Sequence, residues 1–207
     1  ATATAGAGIP DRRVDGSFAH GFGTGGILVA AHSRNVEDYD GPHGVVGNSG
    51  YADHGALVRA ERTWASGVLS ASWQGDFGRD IERPRNNSNA VRFYYPFDDS
   101  HRFNVSYERP TTAGFSLVKA SGFLGTNTQR TDQDRIPTAT RPRDITRADI
   151  DAKDFQFRLL ADRAVKHAKL ELGADVNGRF GLEAHDIFIQ YDAAGAVVAE
   201  SDNVSIA

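Results

Sequence analysis

Between Gly67 and Pro84 the chain reads GVLSASWQGDFGRDIERP, and its alternation limits what the whole can become. Leu69, Ala71, Trp73, Gly75 and Phe77 fall on one side of an extended backbone; Ser70, Ser72, Gln74 and Asp76 fall on the other. A repeat of two belongs to a strand, because a helix brings a face round only every 3.6 residues. The stretch therefore makes a strand with one apolar and one wet face. It runs on through Arg79, Asp80, Glu82 and Arg83 into an Asn-rich loop. The fold turns on whether the apolar face meets a protein core or lipid.

The pattern recurs. Val14, Gly16 and Phe18 oppose Asp15 and Ser17, and Ile27, Val29 and Ala31 oppose Ala30, His32 and Arg34. Ala56, Val58, Ala60 and Trp64 oppose Arg59, Glu61 and Thr63; Phe103, Val105 and Tyr107 oppose Asn104, Ser106 and Glu108. Phe115–Gly125 leads away again. Phe155, Phe157, Leu159 and Ala161 oppose Asp154, Gln156, Arg158 and Asp162, and Leu170, Leu172, Ala174 and Val176 oppose Glu171, Asp175 and Asn177. About eight strands follow, and short and long connections alternate between them. Short turns fall near residues 22–26, 65–67, 110–114 and 166–168; long polar links fall near 35–50, 80–100, 126–147 and from 178 onward. Residues 1–9, small and featureless, are expected to be poorly ordered or to lie at a cut edge.

All short turns thus gather at one end of the sheet and all long links at the other, as in outer-membrane β-barrels. The face opposite each apolar face carries Arg59, Gln74, Asp76, Glu108, Lys119, Asp154, Arg158 and Asp175, too wet for the core of a sandwich. A water-filled lumen with a lipid-facing exterior uses both faces without a buried core. Trp64, Trp73, Phe77, Phe103, Tyr107 and Phe115 cluster towards strand ends, as interfacial girdles do. The expected fold is all-β, with antiparallel up-and-down hairpins of an outer-membrane barrel.

Composition narrows the function. Of 207 residues none is cysteine or methionine, which excludes disulfides, thiol catalysis and Cys-based metal sites. The missing initiator Met and signal-like segment lead us to expect a processed or excised chain. No run approaches the ~20 apolar residues of a membrane helix, but barrel strands need only ~9–11 alternating residues. A net charge of −4 with both signs interspersed argues against a nucleic-acid partner.

The motifs NSGY (Asn48–Tyr51), SWQGDFGRDIERP (Ser72–Pro84), FYYPFDDSHRFNVSYE (Phe93–Glu108) and ADVNGRFGLEA (Ala174–Ala184) resemble the barrel of TonB-dependent outer-membrane receptors. The likeness covers most of residues 12–191. Those receptors have a plug and a 22-stranded barrel; neither a plug, nor the box that contacts TonB, nor a closing C-terminal aromatic is found here. The resemblance implies that residues 1–207 form a piece of such a barrel, in the bacterial outer membrane, serving energy-dependent uptake of an iron chelate, haem or similar nutrient. The implied partners are the lipid bilayer, the nutrient, the remaining barrel and plug, and TonB through a segment outside this chain. No enzymatic activity and no cofactor is expected. Alternatives are a small closed eight-stranded barrel, serving adhesion or catalysis, and a secreted β-sandwich binding glycans.

Candidate ligand-binding residues lie in the expected outer loops. Arg79, Arg83 and Arg85 beside Asn86 and Asn87 suit an anionic chelate, since guanidinium forks match carboxylates; salt bridging within the rim is the blander account. His43 and His54 offer imidazoles able to ligate haem iron, although no second ligand at fixed spacing accompanies them. Asp98–Asp99 and Asp132/Asp134 have the oxygen chemistry for Ca²⁺, with solvated loop charge the simpler reading. Gly21, Gly23 and Gly26 satisfy G-x-G-x-x-G, but Ile27-Leu28-Val29 reads as strand where a dinucleotide site needs a helix. No Ser/His/acid set can be assembled.

Overall fold

The computed structural model describes residues 2–7, 11–42, 44–84, 90–112 and 114–206. The strands are β1 (Thr2–Ala7), β2 (Asp11–Phe22), β3 (Gly25–Val36), β4 (Tyr39–Gly41), β5 (Gly44–Val46), β6 (Tyr51–Trp64), β7 (Gly67–Arg83), β8 (Val91–Thr112), β9 (Phe115–Arg135), β10 (Asp144–Val165), β11 (Ala168–Tyr191) and β12 (Val197–Ile206). Ten pair as one antiparallel meander, β1-β2-β3-β6-β7-β8-β9-β10-β11-β12, and β4-β5 form a separate hairpin. The sheet is not closed; β1 and β12 are its edges. Among the described residues no helix occurs.

Two expectations are corrected. There are ten strands in the main sheet where about eight were expected, and Thr2–Ala7 is an edge strand paired to Arg12–Ser17. The long links shrink as well: β7 runs to Arg83 and β8 begins at Val91 within the link expected at 80–100, 126–147 becomes 136–143, and after Tyr191 a short connection leads into β12. The strands overrun their alternating segments. Past the apolar band charged residues occupy both faces and pair across strands, Arg147 with Asp132 on one face and Arg135 with Asp144 on the other, so the period-two signal fades while backbone pairing continues. A left-handed residue, Asp80 (φ 46°), and a register shift between Tyr94 and Phe97 mark where β7 and β8 pass that margin.

Among the described residues no layer packs on the sheet, and strands touch essentially only their sheet neighbours. The buried hydrophobic residues are Ile145 and Ala152 alone among those described. Val14, Phe18, Val29, Trp64, Leu69, Phe103, Val105, Leu124, Phe157, Leu172, Val176 and Phe180 are exposed large hydrophobics, and the register puts them all on one face. One row across the sheet runs Phe18, Val29, Val58, Trp73, Phe103, Leu124 and Phe155.

The short turns are staggered in register. The first closes at Phe22–Gly25, and Gly25 pairs with Arg62, but the second closes at Trp64–Gly67, two residues further on. Gly67 lies level with Arg109, whereas the third closes at Thr112–Phe115, three residues further. Phe115 lies level with Ala164, and the fourth closes at Val165–Ala168, one further. From first to fourth the stagger is six residues over six strand steps, always in one direction. With about 3.3 Å per residue and about 4.8 Å between strands, turns sharing a plane would tilt the strands by roughly 35°. At the second turn Gly67 has φ 153°, and a Cβ there would lie 2.4 Å from the Glu108 carbonyl oxygen, so only glycine fits.

The β4–β5 hairpin is pinned at its base. The Asp38 carboxylate accepts hydrogen bonds from the backbone N–H of Ser49 (2.7 Å) and Gly50 (3.0 Å), while Ser49 Oγ donates to the Val46 carbonyl at 2.6 Å.

Candidate functional site

Two hollows of about 380 and 390 Å³ are lined chiefly by side chains of the polar face. The register explains the more enclosed hollow, the first of the two. Ser72 and Asn104 share a row between Arg59 and Gln156, and Ser70, Ser106 and Ser121 share the next, ending at Arg158. Short hydroxyl side chains leave a floor, with Ser70 Oγ and Ser106 Oγ 2.7 Å apart. Arg59, Lys119 and Arg158 supply positive charge at its margins and no carboxylate lines it. Each cation is steadied by an acid just outside: Arg158 by Asp175 at 2.6 Å, Arg59 by Glu61 at 3.3 Å and Lys119 by Glu108 at 3.8 Å. The second hollow, which includes Arg13, Asp15, His32 and Asp76, is mixed in charge. Donors and acceptors of this kind can hydrogen-bond polar solutes. Among the described residues no group of three or more His, Asp or Glu could hold a metal ion.

The sequence-derived ligand candidates scatter. Arg79 and Arg83 lie on β7, not in a loop. The Arg79 guanidinium is bonded to Asp99, and Arg83 lies over the Tyr95 ring at 4.7 Å. His54 is within β6, on the apolar side, with Nδ1 2.9 Å from Ser33 Oγ. Arg85, Asn86 and His43 lie outside the described residues. Strand pairing leaves His54 and Arg79 diagonal to one another on the apolar side of β6 and β7, with no hydrogen bond or ion pair between them, and Arg83 four residues further along β7.

The aspartates considered for calcium are committed to cations or amides. Asp132, only 3% exposed, accepts from Arg147 at 2.9 and 3.2 Å and from the Tyr94 hydroxyl at 3.4 Å. Asp134 pairs with Arg143 and Asp99 with Arg79, while Asp98 accepts from Gln129. Burial, then the Asp132 charge, pushes the Tyr94 phenol above its ordinary range. Sequence reasoning missed this ladder, whose partners lie 9 to 38 residues apart.

At the β12 edge His185 Nδ1 meets Asp202 at 3.0 Å and Nε2 meets Glu183 at 3.0 Å. Hydrogen bonds first to Glu183 and then to Asp202 raise its pKa from 6.5 to about 9. The folded value lies above the unfolded one, so the clamp stabilises fully below about pH 6.5 and is lost as pH rises through about 9. Amide exchange in β12, corrected for its intrinsic pH dependence, is expected to speed up between those values. In His185→Gln that step should vanish; an unchanged step would show that the clamp does not hold the edge.

In comparisons with known proteins, no family model, no curated protein and no solved structure matches this chain.

Proposed function

We propose that this chain forms wall of an outer-membrane β-barrel that takes polar nutrients across the membrane, as the TonB-dependent receptors it resembles do. The observation that carries this reading is the single sheet whose large apolar side chains are uncovered on one face only. A soluble fold would leave that face in water at prohibitive cost, whereas lipid is its natural solvent. Supporting it are the hollows on the polar face and the one-way stagger, whose tilt of roughly 35° falls at the margin of the 35–45° of membrane barrels. The serine-floored hollow would belong to the aqueous wall, offering hydrogen bonds to a passing polar or anionic solute. Iron chelates and haem are the ligand class suggested by the resemblance, and no catalytic role is assigned. An ordinary glycan-binding sandwich would need a second sheet over the apolar face, and none packs there among the described residues.

The test is depth-dependent fluorescence quenching in lipid. Trp64 and Trp73 both belong to the apolar face. Brominated acyl chains should quench both strongly in the folded chain. With Gln74→Trp in a Trp64→Phe/Trp73→Phe background, an aqueous quencher should dominate instead. Quenching of neither Trp64 nor Trp73 by the acyl chains would overturn the lipid-facing assignment.

A further inference from the structure

Each strand running towards the short turns carries an apolar-face basic residue just before its turn. Arg62 is two residues before Trp64, Arg109 three before Thr112 and Arg163 two before Val165, the residues at which those turns close. His20 holds the same place two residues before Phe22. The row through Arg62 reaches β8 at Tyr107, and Arg109 lies two residues beyond; the row through Arg109 reaches β10 at Ala161, and Arg163 again lies two beyond. The arginines therefore descend by one residue per strand, the slope of the turns themselves. Where the turns are level, so are the arginines, at a spacing of about 12 Å from strand and residue dimensions.

Their charge is uncompensated on that face. Arg62 lies over the Trp64 ring at 5.5 Å, and among the described residues Arg62, Arg109 and Arg163 make no ion pair. All three are exposed. Nearby acids Glu61, Glu108, Asp162 and Glu171 alternate onto the polar face. At the opposite end the arginines of the same face are neutralised: Arg79 by Asp99, Arg130 by Asp149, Arg147 by Asp132. The sheet thus has one salt-bridged margin and one bare cationic margin, the latter bordered by Phe22, Trp64 and Tyr107.

We propose that this bare margin binds the phosphate groups of anionic phospholipids in the leaflet that meets the short turns. The inference rests on the lipid-facing reading of the apolar face. Guanidinium groups pair well with phosphate, and arginines about 12 Å apart are too widely spaced for one small free anion to bridge, but suit a row of separate headgroups. Acyl chains would then lie on the apolar band above.

The experiment uses the full chain with vesicles of phosphatidylcholine, alone or mixed with phosphatidylglycerol. Wild type should prefer the mixed vesicles. Arg62→Gln/Arg109→Gln/Arg163→Gln should lose that preference by on the order of 100-fold at low salt, while the triple Lys variant keeps most of it and high salt abolishes it for all. Arg12→Gln/Lys153→Gln, altered away from the belt, should behave as wild type. Equal preference in wild type and the Gln triple would overturn the belt and leave the lipid-facing reading standing. Failure to associate with either vesicle would overturn both.

Discussion

Val105→Lys is expected to lower the stability of the lipid-inserted fold by roughly 2–4 kcal/mol, the cost of a cation near the midplane on the lipid side of a barrel. Val105 is 51% exposed and sits between Phe103 and Tyr107 on the apolar face of β8. If that face met water, the same substitution at a half-exposed site would change stability by no more than about 0.5 kcal/mol. The two environments thus differ several-fold in outcome. Asn104→Lys, one residue away on the polar face, supplies the contrast and should be nearly neutral, since its ammonium would reach the aqueous hollow. Denaturant titration of both variants in lipid vesicles makes the comparison. Equal and small effects would remove the bilayer from the account of this face.

Without lipid or detergent, the 207-residue chain is expected to show no cooperative unfolding as a monomer. A compact chain of 22.4 kDa exposes roughly 9,400 Å², whereas this one exposes 13353 Å². The excess of about 40% over the compact-chain scaling is largely what a single layer leaves uncovered, and Ile145 and Ala152 are no substitute for a core. The edges add a second hazard. β12 pairs only with Glu183–Tyr191, so the stretch of β11 from Ala168 to Leu182 has no partner on its far side among the described residues. Unpaired apolar edges recruit further strands, so self-association should precede any thermal transition. Sedimentation with circular dichroism melting would decide it. A monodisperse monomer with a sharp melt in buffer would mean that the apolar face is covered in some other way.

The legibility of this molecule follows the apolar band. Within it, residues such as Leu69, Trp73, Phe155 and Leu172 announce strand, face and direction at once, because a side chain is either wet or not. Above it the signal fails. Residues 126–135 and 144–147 read as a long loop rich in Thr, Gln, Asp and Arg, yet they form ladder rungs such as Asp132–Arg147 and Arg130–Asp149. Once charged residues paired across strands occupy both faces, backbone hydrogen bonding no longer needs an alternating sequence. For the same reason Arg79 and Arg83 read as outer-loop residues, although both lie on β7, where Arg79 is salt-bridged, as the blander account had it, and Arg83 lies on an aromatic ring.

By itself, the amino-acid sequence determined an all-β chain, the two faces of its strands and the positions of its tight turns, because each follows from local alternation and a few turn residues. Tertiary structure alone decided the register. It extended the strands past the band, set the turns back by one residue per strand and gave arginines 47 and 54 positions apart in sequence, Arg62, Arg109 and Arg163, the same slope as the turns. A one-residue change in pairing leaves every local pattern intact while moving a side chain by about 3.3 Å along its strand. Stagger, tilt and the bare cationic margin are therefore properties of strand pairing.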